Sequence, residues 1–171
     1  MVDTPLHPAL QPISFLLGTW RGEGQGHYPT VDDFVYAEES RFWTTGRAVI
    51  HYEQQTWSPA TGAPMHCESG YLRMNGNRVE MMLAHPLGIV EIEEGQVAGR
   101  RLKLTTVNVG RSSTAKRIDS LARTIAMDGD ELAYTLEMAA VGQPLAGHLS
   151  ARLKRVRAPG PPYSSMVPEI L

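Results

Sequence analysis

Six histidines, one cysteine and one glycine-rich stretch carry the chemistry open to this 171-residue chain. The histidines are His7, His27, His51, His66, His85 and His148. None are paired at the helical spacing of a zinc protease, and no Cys/His set has zinc-finger spacing, so spacing lends no support to a protein-only metal site. His66 stands in Pro64-Met-His-Cys-Glu-Ser-Gly-Tyr-Leu72 and shares strand parity with Glu68, Gly70, Leu72 and Met74, which aims it at a cavity. Its plain reading is a core histidine bonded to a neighbour. Paired with Glu68 it could do acid–base work, although a structural hydrogen bond is the commoner outcome. His85 precedes Pro86, which makes it extended and places it at a strand end, as a rim residue. His148 opens the last strand behind Gly147, whose missing side chain leaves room for a flat ligand. It shares parity with Ser150 and Arg152, opposite Leu149, Ala151 and Leu153. An inward His148 therefore requires a mouth position or a β-bulge; otherwise it is an exposed strand-end histidine. Cys67, alone within a strand, reads as a small buried hydrophobe, and a single cysteine fits a reducing compartment.

These residues need a scaffold, and the stretch Gly18-Thr-Trp-Arg-Gly-Glu-Gly-Gln-Gly-His-Tyr28 organises it. At period two, Gly18, Trp20, Gly22, Gly24, Gly26 and Tyr28 share one face, and Thr19, Arg21, Glu23, Gln25 and His27 the other. Glycine in a strand packs nothing, so such a run marks a sharp bend or a close approach to the backbone. Trp20 is expected to plug one end of a closed sheet, with the glycines leaving room above it. The Gly22-x-Gly24-x-Gly26 spacing is wrong for a dinucleotide fingerprint, and no helix follows it. Alternating segments continue from Asp33 to Arg155, with turn signals at Thr44–Arg47, Ser58–Gly62, Asn75–Asn77, His85-Pro86, Gly95, Gly110–Ala115, Asp128–Asp130 and Val141–Pro144. About ten short strands with hairpin-length links predict an all-β, antiparallel, up-and-down barrel. Such a barrel is too wide for its side chains to fill, so it can hold a small ligand. His7 to Leu17, broken by Pro8 and Pro12, is expected to form a short helical cap.

With 16 Lys+Arg against 18 Asp+Glu, the chain lacks the basic stripe of a nucleic-acid binder. No apolar run is long enough to span a bilayer, and no secretory signal is visible at Met1-Val-Asp-Thr-Pro5. The expectation is a cytoplasmic protein without nucleic-acid or membrane partners: one barrel domain over residues 1–157 and a proline-rich tail over 158–171. A homodimer is compatible with this reading.

Gly18-x-Trp20-x-Gly22-x-Gly24-x-Gly26-x-Tyr28-Pro29-Thr30 resembles the opening motif of the nitrobindins, ten-stranded haem barrels related in shape to fatty-acid-binding proteins. Pro64 to Tyr71, Gly88-Ile-Val-Glu91 and Pro144-Leu-x-x-His148-Leu extend the likeness over most of the chain. The resemblance implies that His148 is the proximal ligand of a b-type haem, and so the metal-binding and catalytic residue. It implies that Met65 and His66 flank the haem and that Lys116 lies near its propionates. The implied activity is nitric oxide binding and isomerisation of peroxynitrite to nitrate at ferric haem iron. The alternative is a carrier of an apolar or fatty-acid-like ligand, whose carboxylate would be clamped by Tyr71 and Arg73, which share a parity.

Overall fold

The computed structural model describes residues 5–157; the expected tail over 158–171 lies outside them. A 3₁₀ helix, Pro8–Leu16, leads into ten strands. These are β1 (Gly18–Tyr28), β2 (Val31–Trp43), β3 (Ile50–Trp57), β4 (Pro64–Asn75), β5 (Arg78–His85), β6 (Ile89–Ala98), β7 (Arg101–Arg111), β8 (Ile118–Asp128), β9 (Glu131–Ala140) and β10 (Ala146–Arg157). Every neighbouring pair is antiparallel, and β10 returns to pair with β1, so the sheet closes into an up-and-down barrel. Closure leaves no strand edge exposed among the described residues. It also places the links after β1, β3, β5, β7 and β9 at one end, which forms a mouth, and the remaining links at the other.

Alternation of side chains builds the interior. Ile50, Tyr52, Gln54 and Thr56 of β3 point inward, as do Val79, Met81 and Leu83 of β5. Gly76 and Gly129 take positive φ (62° and 65°) in the tight turns after β4 and β8, where a Cβ would be strained. The expected break at Gly95 does not occur. β6 runs through it to Ala98 and turns at Gly99 instead, where φ is +57°. A Cβ on Gly95 would lie 1.7 Å from the Lys103 carbonyl oxygen, so this glycine marks a close approach of two strands rather than a turn.

Trp20 is fully buried and plugs the end opposite the mouth, as its position predicts. Its indole donates to the Leu16 carbonyl at 2.7 Å, and Leu10, Ile13 and Leu16 of the 3₁₀ helix pack with it in the core. Arg155 stacks over the indole at 4.2 Å and donates to the carbonyls of Leu17 and Phe15. The helix is three tight turns; Pro12 lacks the N–H that an α-helix would bond back to the Pro8 carbonyl, whereas Pro8 at the first helical position removes no bond. The room left by the β1 glycines is filled from the neighbouring strand. Gly24 pairs with Tyr36 and Gly26 with Phe34, and a Cβ on either glycine would come within 2.3 Å or 2.1 Å of the opposing ring. The glycine face therefore admits two aromatic rings to the interior, and both Phe34 and Tyr36 line the cavity above.

Candidate functional site

The mouth opens into a cavity of about 630 Å³, within the range of small-molecule and cofactor pockets. Its lining includes all of Met65, His66, Lys116 and His148. Two β-bulges bring Met65 and His148 there. Between β9 and β10, Gly147 is opposite Glu137 and Leu149 is opposite Leu136, which leaves His148 as the extra residue. Between β3 and β4, Thr56 faces His66 and Trp57 faces Pro64, which leaves Met65 as the extra residue. A bulge re-aims a side chain, so His148 and Leu149, and likewise Met65 and His66, are successive residues that both reach the cavity. Regular alternation would have sent His148 and Met65 outward.

The His148 ring is partly buried, lies edge-on to Tyr28, and bonds through Nδ1 to the His27 carbonyl at 3.0 Å. A carbonyl only accepts, so Nδ1 carries the proton and Nε2 keeps its lone pair. Burial pushes the His148 pKa below its ordinary value, which favours the neutral ring. Thr56 holds the backbone of His66, accepting from its N–H at 3.0 Å. Lys116 lies exposed in the loop between β7 and β8, at the rim.

Below the rim the cavity floor is charged. Arg123 of β8 is buried against Glu68 (3.1 Å), Glu93 (3.3 Å) and Glu91 (3.6 Å). His85 donates from Nε2 to Glu91 at 2.7 Å and holds Nδ1 3.3 Å from Nε2 of His66. Tyr52 donates to Glu68 at 2.8 Å. A second group joins Glu38 to Tyr134 and Ser40, each at 2.6 Å, with Tyr36 2.7 Å from Tyr134. Burial opposes the ionisation of Glu68, yet the charge of Arg123, the hydrogen bond from His66 and the charge of His85 together outweigh it and hold this carboxyl well below the usual range. Burial raises Glu38 and Glu93, which favours their protonated forms. For His85, burial is outweighed by the bond to Glu91 and the charge of Glu68, and its pKa rises.

His85, a rim residue by its place before Pro86, is instead nearly buried and links His66 to Glu91. Cys67, a buried hydrophobe by its place in a strand, is instead exposed, because it alternates with the inward His66 and Glu68. Tyr71 and Arg73 likewise face outward, Tyr71 against His51 and Arg73 against Glu80, so they form no clamp in the cavity. Glu38, Glu91, Glu93 and Arg123 were missed. Their signal was parity: each stands on the face of its strand that otherwise carries apolar residues.

Residues 9–155 match a family model described as the THAP4-like, heme-binding beta-barrel domain. The chain belongs to this family. Within the THAP4-like family its curated relatives include "Peroxynitrite isomerase 1" of Mycolicibacterium paratuberculosis, 46% identical over 91% of this chain and 100% of the relative. "Peroxynitrite isomerase" of Nocardia farcinica is 46% identical over 88% of this chain and 92% of its own length. The crystal structure of Rv2717c from M. tuberculosis superposes with a TM-score of 0.83 at 47% identity, covering 88% of this chain and 99% of that one. The residues present suit the family's haem. An imidazole with Nε2 free stands on the wall, Phe34, Leu136 and Leu149 offer apolar surface, and Lys116 stands at the rim for an acidic group.

Proposed function

We propose that this chain binds haem b through His148 Nε2 and isomerises peroxynitrite to nitrate, with nitric oxide as a further ligand. The observation that carries the reading is the bulged His148, whose Nδ1 is engaged by the His27 carbonyl and whose other nitrogen is left with its lone pair. A histidine ligand to a metal ordinarily has its second nitrogen tied in this way, which fixes tautomer and ring orientation. The names of the curated relatives support the reaction.

Bound haem would supply a redox-active iron to which a small anion could coordinate. His148 supplies a neutral donor, kept neutral by burial. Met65 and His66, delivered together by the second bulge, flank the reacting side of the cavity. Lys116 offers a cation to a haem propionate at the rim. The floor cannot act as a carboxylate clamp for a fatty acid, because Arg123, the one buried arginine among the described residues, is already matched by Glu68, Glu91 and Glu93. Among the described residues, the apolar-carrier reading therefore has no buried cation without carboxylate partners to hold its headgroup.

The test is titration of the purified chain with ferric haem, followed by absorption, and then the decay of peroxynitrite with the nitrate yield measured. A one-to-one haem band and a raised nitrate yield are expected. Tight fatty-acid binding with no haem band would overturn the reading.

A further inference from the structure

We propose that His66, Glu68 and His85 form a second, haem-independent site for a divalent first-row transition metal, open toward the cavity. Nε2 of His66, Nδ1 of His85 and Oε2 of Glu68 converge, and all lie within 4.8 Å of one another. Their separations are 3.3 Å between the two nitrogens, 3.4 Å from His85 to Glu68 and 3.8 Å from His66 to Glu68. The His66–His85 contact at 3.3 Å is a long hydrogen bond against the usual range of about 2.7–3.2 Å, and the two contacts to Glu68, at 3.4 Å and 3.8 Å, are longer still, so the three atoms border a shared gap that their own bonds close only loosely. A point equidistant from three such atoms lies roughly 2 Å from each, the length of a bond from zinc to imidazole nitrogen or carboxylate oxygen (about 2.0–2.2 Å).

The surroundings of the three ligands are those of a metal centre. Glu91 accepts from Nε2 of His85 at 2.7 Å, a carboxylate–histidine pairing that leaves the Nδ1 lone pair directed at the gap. Glu68 gives its other oxygen, Oε1, to Tyr52 at 2.8 Å and to Arg123 at 3.1 Å, which fixes the carboxylate and keeps Oε2 for the gap. Two imidazoles and one carboxylate with further positions open is the donor set of catalytic zinc and non-haem iron sites. All three residues line the cavity, so the open positions would take water or a small anion from it. Spacing hid the site because His66 and Glu68 belong to β4 and His85 to β5, meeting one step past the last paired residues, Ser69 and Ala84.

The proposal does not depend on haem, and the test keeps the two apart. The full chain, stripped with chelator and free of haem, would be titrated with Co²⁺ and its visible absorption followed, then with Zn²⁺ against a chromophoric chelator. One ion per chain is expected, with affinity falling tenfold or more in His66→Gln and in His85→Gln. His66 is partly exposed, so His66→Gln tests the site without disturbing the buried network; an unchanged melting temperature of the metal-free variant would verify this. His148→Ala should bind Co²⁺ as the parent does while losing haem. The proposal is overturned if no stoichiometric ion binds, if both glutamine variants bind as the parent does, or if binding requires His148.

Discussion

Nδ1 of His148 stands 3.0 Å from the carbonyl oxygen of His27, across the seam where the first and last strands close the barrel. The partner is backbone, so the ring is oriented whatever side chain occupies position 27. His148→Ala should therefore lose most haem, whereas His27→Ala should bind it within about twofold of the parent. The barrel should still fold in both, because His148 sits at the mouth and outside the central packing. Absorption titration with ferric haem and thermal denaturation check the pair; equal haem affinity in His148→Ala would assign the axial ligand elsewhere, with His66 the next candidate.

Burial lowers the pKa of His148 below the ordinary histidine value of about 6.5. The sign follows: the folded chain favours the neutral ring, so this contribution is complete above the unfolded value and is lost as pH falls through the lowered folded one. Protonation at Nε2 competes with the metal in the same direction. Haem should thus be retained throughout the neutral range and released only on the acid side of about pH 6.5. The haem band recorded against pH at fixed protein concentration tests this, and release centred above neutrality would contradict it.

Arg123 balances Glu68, Glu91 and Glu93 in the barrel floor. Arg123→Met leaves these carboxyls uncompensated, at a cost of about 3–5 kcal/mol for a broken buried ion pair. The folded pKa of Glu68 is depressed, so in the parent its contribution is present above the unfolded carboxyl value of about 4.3 and is lost as pH falls through the folded one. Without Arg123 that dependence should weaken or reverse, and the deficit relative to the parent should narrow in acid. Urea denaturation of both proteins at neutral and acid pH measures it.

A Cβ at Gly24 would sit 2.3 Å from the ring of Tyr36, which is buried and bonded to Tyr134. Gly24→Val should cost about 1–3 kcal/mol by overpacking, with a melting temperature several degrees lower and weaker haem uptake. A variant that melts and binds like the parent would show that Tyr36 can move aside freely.

The barrel was legible in the sequence because its information is local: alternation makes each strand, and glycine with asparagine or aspartate makes the turns after β4 and β8. Trp20 was legible for the same reason. The break placed at Gly95 failed because a glycine demanded by strand crowding looks the same as one demanded by a turn. The floor was not legible because Arg123 meets Glu68, Glu91 and Glu93 only when β4, β6 and β8 curve around a common interior. Parity puts each of these residues on the inward face of its strand, but nothing local says which of them meet. For His148, alternation pointed outward, and only a bulge or a mouth position could reverse it; the structure has both.

The bulge between Gly147 and Leu149 makes the site a matter of residue count as well as residue kind. Glu137, opposite Gly147, faces solvent, whereas Leu136, opposite Leu149, faces the interior. Removing Gly147 would slide His148 into step with Glu137 and turn its imidazole to the outside, with every side chain of the cavity still encoded. A one-codon deletion would thus turn the proposed ligand away from the cavity while leaving the histidine in place. Between such a chain and this one, the presence of a histidine in an alignment column would not tell a ligating strand from a silent one; the phase of the strand would.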